Sequence, residues 1–328
     1  YVIMLKTTDG DKMNLLNQEK TLSKKSVNLS SIVNKRISII GTGGIGSHLA
    51  ENLVRMGFNH IMIMDADIVE DSNISRQTFS KKDIEHKKGF SLMKRLLDIN
   101  PDCNVVWNDS FLEQNNTRLL DSSDIILDAT DNLSARYIIN SYSVQNNVPW
   151  IYNSAIGTRY SIALFDPNIT PCFECVYGPL EAESEESCSL DGIIVTTLLE
   201  AVSKQINLCL KALSELDVPT EILQVDTWEQ KQSLMNFHTL RDDNCSTCNQ
   251  LESKAKITLR INCRGNSKDV WLNQTHKLEE KVGKTFELKR KNELFSEYMF
   301  DHKRVVVFYN RKATFHHFER EEVLSFFK

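Results

Sequence analysis

No apolar run in this 328-residue sequence approaches the roughly 20 residues a helix needs to cross a bilayer, which excludes a helical membrane span. Tyr1 to Leu5 is too short for the apolar part of a secretory signal and lacks a cleavage pattern. Internal repeats and low-complexity tracts are missing, which excludes a repeat array. Positive charge is not in excess. The formal net charge is -5, so no general electrostatic pull towards nucleic acid or an anionic membrane is expected. No arginine occurs before Arg36. With no export signal, the cytoplasm is the expected compartment. The eight cysteines then argue for metal or thiol chemistry and against a disulfide framework. The sequence opens on Tyr1 and not on Met, which leaves room for residues upstream.

What is present is a packed globular chain, 41% hydrophobic and 25% charged, long enough for one large domain and a smaller appendage. Arg36–Ile40 is a short β-branched run that leads into glycine, as a buried parallel strand does. Residues 47–56 carry apolar side chains at helical spacing and stop at Gly57, and His60–Met64 reads as the next strand. The alternation continues: helix over 88–97, strand over 104–107, helix over 113–120, strand over 125–127, helix over 134–146, strand over 148–152. This pattern specifies an α/β fold with a doubly wound, mostly parallel sheet. Residues 179–189 read as a polar loop containing the acidic stretch 181–186, and 193–216 as a long apolar helix serving core or interface. Beyond Cys248 the pattern changes to strands over 257–262, 286–289 and 305–309 with helices over 276–282 and 319–327, in a stretch rich in Lys, Arg and His. The expected organisation is an N-terminal segment or linker over 1–30, a main domain over 31–251 and a small α+β domain over 252–328.

Gly41, Gly43, Gly44 and Gly46 form a turn between a strand and a helix. Glycines there admit a phosphate close to the backbone, and the helix N-terminus offers its N–H groups. Asp65, about 20 residues on at the end of the next strand, is placed to accept from a ribose. A nicotinamide enzyme would share these features. The separating signal is the set of polar residues downstream of Asp65: Asp67, Asn73, Arg76, Lys88, and then Asp128, Asp131 and Asn132. Hydride transfer has no use for Arg, Lys and Asp converging on phosphates, whereas nucleotidyl transfer needs cations for the phosphate charge and a carboxylate for Mg2+. Lys88 could instead be a solvated charge of the basic run 81–88, and Asp128 or Asp131 a cap for the following helix.

Cys172 and Cys175 form one CxxC pair, Cys245 and Cys248 a second, about 70 residues apart. Two such knuckles satisfy a tetrahedral structural Zn2+ site, and four thiolates leave no open position for catalysis. Cys103 and Cys209 sit among apolar residues as core fillers. Cys188 lies at the end of the polar loop, where a thiol can be exposed enough to react. An incidental loop cysteine, its pKa raised by neighbouring glutamates, is the competing reading.

GTGGIG, DADIVEDSNISRQ, DIEHKK and DATDN, in that order and with the two CxxC knuckles, resemble the ThiF/MoeB family, relatives of ubiquitin-activating enzymes. The resemblance covers roughly residues 33 to 250. It implies ATP-dependent adenylation of the C-terminal glycine of a ubiquitin-like sulfur carrier, with release of pyrophosphate. It implies a Rossmann-like core with Asp65 on ribose, Arg76 and Lys88 on phosphates, Asp131 holding Mg2+ and orienting the carboxylate, and Asn73 and Arg136 around the nucleotide. It also implies a homodimer, and a role for Cys188 in taking up carrier-linked sulfur. Residues 263–267 and 305–311 weakly echo an appended domain of some members, which would support stability or dimerisation, or dock the carrier.

One departure concerns the segment before the first strand, where the family carries an arginine that reaches the partner subunit's nucleotide. Residues 1–35 contain none; Lys24, Lys25 and Lys35 are candidate substitutes without a planar fork. Microcin-type enzymes, which adenylate a ribosomal peptide, share the core and the knuckles and form the enzymatic alternative. A degenerate scaffold that binds a ubiquitin-like partner without turnover is the non-enzymatic one, but no core ATP residue is missing here.

Overall fold

The β-branched run Arg36–Ile40 (β1) sits at the centre of the sheet, and its last four residues are buried. A computed structural model describes residues 15–179, 192–249, 260–264, 267–271, 275–291, 295–308 and 312–326. These divide into two compact units, 15–179 with 193–249, and 260–326.

The first unit opens with two short helices, α1 (Leu16–Ser23) and α2 (Leu29–Ile32). After β1 come α3 (Gly44–Arg55), β2 (His60–Met64), α4 (Lys88–Ile99), β3 (Asn104–Asn108), β4 (Ile125–Asp128), α5 (Leu133–Asn146) and β5 (Trp150–Ile156). The unit ends with β6 (Arg159–Phe165), α6 (Phe173–Tyr177), α7 (Val195–Leu213), β7 (Glu221–Asp226) and β8 (Lys231–Asn236). The strand order is β3-β2-β1-β4-β5-β6-β7-β8. The first five strands run parallel, and β6, β7 and β8 extend the sheet antiparallel. Parallel strands covered on both faces are apolar throughout, as β1 and β4 are. One face packs α3, α4 and α7 around Ile37, Ile39, Leu49, Leu53, Leu92 and Leu198. The other packs α5 and α6 around Ile126, Ile139, Trp150, Phe165 and Phe173. Because the strands are parallel, the ends of β1, β2, β4 and β5 open on one edge. A βαβ sheet binds its ligands at that edge.

Three sequence expectations change. The helix over 113–120 is one 3-10 turn, Thr117–Leu120. Asn116 takes the backbone out of the helix: its Oδ1 accepts from Glu113 N at 2.8 Å and its Nδ2 donates to Phe111 O at 2.8 Å. The strand expected over 148–152 starts two residues later, after Asn147 closes α5 in the left-handed region. The long apolar helix is shorter than 193–216 and turns its apolar side to the core through Leu198, Ala201, Val202, Ile206, Cys209 and Leu210. Ile194, Val195 and Leu199 remain exposed. Cys103 and Cys209 are buried fillers as expected.

The second unit has β9 (Arg260–Arg264), β10 (Ser267–Trp271), α8 (Thr275–Gly283), β11 (Glu287–Lys291), β12 (Phe295–Phe300), β13 (Lys303–Phe308), β14 (Lys312–His316) and α9 (Arg320–Ser325). Its antiparallel sheet has the order β11-β12-β13-β14-β10-β9. Leu278, Val282, Tyr298, Val305, Phe315 and Val323 form its own core. Among the described residues, no helix in either unit is long and apolar enough to cross a membrane.

Candidate functional site

The glycine turn is built by close approach. Gly41 has φ +89°, and a Cβ on it would lie 2.7 Å from the Ala129 carbonyl oxygen. A Cβ on Gly46 would lie 1.9 Å from the Gly41 oxygen, so neither position tolerates a side chain. The turn delivers the N-terminus of α3 to the open edge of the sheet. Gly43 supplies no capping side chain, which leaves the first-turn N–H groups and the positive end of the helix for an anion.

Asp65, 6% exposed, fixes this turn from the end of β2. Its Oδ2 accepts from Thr42 N at 2.7 Å and Thr42 Oγ1 at 2.9 Å, and its Oδ1 accepts from Asp67 N at 2.8 Å. A carboxylate has about four acceptor positions, so room for one further donor remains. Lys88, the first residue of α4, is buried and donates its Nζ to Asp67 Oδ2 at 3.1 Å. The solvated-charge reading of Lys88 is therefore excluded. Arg76 is half-buried and donates Nη1 to Ser72 O at 2.8 Å. Asn73 is buried and shapes the same segment by accepting from Glu70 N at 3.0 Å. A Cβ on Gly44 would meet Arg76 O at 3.7 Å, and one on Gly43 would meet Gln77 Nε2 at 3.8 Å, so this segment lies along the glycine turn.

Gln77 joins the turn without being a sequence candidate. It is 7% exposed, and its Oε1 has no hydrogen-bond partner, an acceptor held against the turn. In the sequence it closes the DADIVEDSNISRQ run, which by itself gives it no role.

The loop after β4 completes the edge. Asp128 is fully buried and takes Arg136 Nε at 2.9 Å on Oδ2, with Thr130 N at 2.9 Å and Thr130 Oγ1 at 2.7 Å on Oδ1. Arg136 also donates to Thr130 O at 2.8 Å and Asn153 O at 3.3 Å. The fully buried Gln205 of α7 donates to Asp128 O at 2.9 Å and accepts from Asn153 Nδ2 at 2.8 Å. The cap of α5 is Asn132, whose Oδ1 accepts from Ser134 N and Ala135 N, and not Asp128 or Asp131. That leaves Asp131 as the exposed carboxylate of the loop.

Burial pushes the Asp128 carboxyl up, with Arg136 and Thr130 pulling it back. Replacing Arg136 with Met removes the main counterforce and leaves an unpaired buried acid, at a cost of ~3–5 kcal/mol near neutral pH. An acid with a folded value above its unfolded one favours folding in its protonated form, and that contribution is lost as pH rises through the folded value. The stability deficit of Arg136→Met should therefore narrow on going from pH 8 to pH 5. Paired thermal melts check this; a gap independent of pH would refute it.

The second centre is the cysteine cluster. The four sulfurs of Cys172, Cys175, Cys245 and Cys248 lie within 4.8 Å of one another. Cys172–Cys245 is 3.5 Å, and Cys172–Cys175 and Cys175–Cys248 are 3.7 Å each. Four Zn–S bonds of ~2.3 Å in a tetrahedron require sulfurs about 3.8 Å apart, so the set fits structural zinc. Around it, Glu174 accepts from Ser246 Oγ and Thr247 Oγ1, both at 2.5 Å, joining one knuckle to the other. Burial pushes the Cys172 and Cys245 thiols up to about 12, so loading a cation must displace their protons.

Thus Gly41, Gly43, Gly44, Gly46, Asp65, Asp67, Asn73, Arg76, Lys88, Asp131 and Asn132 all line one edge of the sheet. Cys188 lies outside the described residues.

Residues 18–247 match the ThiF family. The sulfur carrier protein ThiS adenylyltransferase of Bacillus subtilis (strain 168) is 31% identical over 217 residues, covering 65% of this chain and 64% of that protein. The adenylyltransferase and sulfurtransferase UBA4 of Yarrowia lipolytica is 32% identical, covering 49% of this chain and 41% of that protein. The chain thus spans less than two thirds of either relative. In fold it is similar to E. coli MccB with MccA-N7isoASN, at a TM-score of 0.64 and 20% identity, covering 74% of this chain and 75% of that one. It is also similar to PaaA, at a TM-score of 0.59 and 16% identity, covering 72% and 86%. With the match running from residue 18 through the glycine turn and the first cysteine knuckle to residue 247, the chain belongs to the ThiF family.

Proposed function

We propose that this chain is an ATP-dependent adenylyltransferase that activates the C-terminal carboxylate of a ubiquitin-like sulfur carrier. The observation that carries the reading is the grouping, at one sheet edge, of an uncapped helix N-terminus, the Lys88–Asp67 pair, Arg76 and the exposed Asp131. A dehydrogenase has no use for that set. The name of the Bacillus relative supports the carrier as substrate.

In this reading Asp65 accepts from the ribose, and the first turn of α3 faces the phosphates. Lys88 and Arg76 hold the negative charge that grows on the phosphoryl oxygens. Asp131 offers a hard oxygen ligand of the kind Mg2+ selects. Mg2+, when bound, neutralises phosphate charge. A carboxylate oxygen of the carrier attacks the α-phosphorus, the bond to the bridging oxygen of pyrophosphate breaks, and the acyl-adenylate forms. Structural Zn2+ on the four cysteines and a homodimer belong to the same reading, as does Cys188 as a thiol for onward sulfur transfer.

ATP–pyrophosphate exchange tests it. Exchange should depend on a carrier ending in Gly-Gly and persist in Cys188→Ser. Exchange with short peptides alone would move the chain to peptide activation, and silence with both would overturn the enzymatic reading.

A further inference from the structure

Asn140 lies on α5 with no solvent exposure. Its Oδ1 accepts from Phe173 N at 2.7 Å, which fixes the start of α6 directly after Cys172. Its Nδ2 is buried with no partner of hydrogen-bond geometry among the described residues. Such an orphan costs ~1–3 kcal/mol and calls for an explanation. None comes from the neutral groups among the described residues. The Asn140 Oδ1 is fixed to the residue directly after Cys172, so the amide lies against the first knuckle, whose Cys172 sulfur belongs to the four-sulfur cluster. In a loaded metal site that sulfur is an anion, and an N–H donor beside it orients the ligand and steadies its charge.

We propose that Asn140 is a positioning residue of the metal site, donating its Nδ2–H to the metal-bound Cys172 thiolate while its Oδ1 holds the adjacent backbone. Asn140 then ties the knuckle to α5, the helix capped by Asn132 and carrying Arg136. The inference rests on the four cysteines binding a metal and is independent of which substrate is adenylated.

Asn140→Asp is the informative change. It keeps the shape and the acceptor for Phe173 N but replaces the donor with an oxygen facing a thiolate. Changes to a group that hydrogen-bonds a metal ligand cost ~10–100-fold in metal affinity. We expect zinc release to a chromogenic chelator to be at least tenfold faster than from the native protein. In the Co2+-substituted protein we expect the sulfur-to-metal charge-transfer bands to move. Native release and an unchanged Co2+ spectrum would overturn the proposal.

A second measurement avoids the variant. In 113Cd-loaded native protein with 15N-labelled asparagine, one side-chain amide proton should show scalar coupling to the metal through the N–H···S bond. No such coupling from any asparagine side chain would also overturn it. If the protein loads no metal, the four-cysteine reading fails first, and metal analysis separates that result from the others.

Discussion

Asp131→Ala is expected to lower ATP–pyrophosphate exchange by ~10³-fold or more. A group that stabilises transition-state charge contributes ~10²–10³ in rate. A carboxylate that also holds the cation adds metal positioning to that. Asn132 caps α5, and Asp128 is clamped between Arg136 and Thr130. Asp131 itself is exposed at this edge. Asp131→Asn separates charge from hydrogen bonding; if charge on the cation is the main contribution, it should be nearly as inactive as Ala. Nucleotide binding, read separately by calorimetry without the carrier, should weaken far less than exchange. Exchange within tenfold of the native level would remove Asp131 from the chemistry.

The parts legible in the sequence were those where one local rule had no competitor. Ile37, Ile39 and Ile40 leading into Gly41 left no reading but a buried strand entering a turn. Lys88 is more instructive. Its sequence neighbours made a solvated face reasonable, and only the register that sets α4 against the loop after β2 shows it buried on Asp67. The Asp128/Asp131/Asn132 run defeated local reasoning in another way. All three residues cap helices well, so the choice fell to tertiary contact, and Arg136 drew Asp128 inward. Strands β6 to β8 were not legible at all. Every residue of β8 is exposed, so no apolar alternation marks it, and its ladder with β7 alone makes it a strand. Gln205 escaped notice, and Gln77 drew no role within its run, because a polar amide in a sequence carries no sign of burial.

Removal of the metal, by a strong chelator or by Cys172→Ser, is expected to lower the melting temperature by about 10 °C or more. The two knuckles lie 73 positions apart, and a metal held by both would close the loop between them. By loop-entropy reasoning, clamping a loop of that length contributes about 4 kcal/mol, and each kcal/mol moves a domain of this size by ~2–4 °C. The loss does not stop at the loop. Phe173, between the first two cysteines, is 1% exposed and packs against Trp150, Tyr152, Phe165 and Tyr177. Phe237 joins that cluster at 5.4 Å from Phe165, and the chain runs from it into the second knuckle. Releasing the sulfurs frees both anchors of one aromatic core. Serine is a poor substitute, because a hydroxyl is neither soft nor readily ionised. Metal content measured beside each melt decides the matter. A protein that holds one zinc and melts at the same temperature after losing it would show that packing alone closes this end of the sheet.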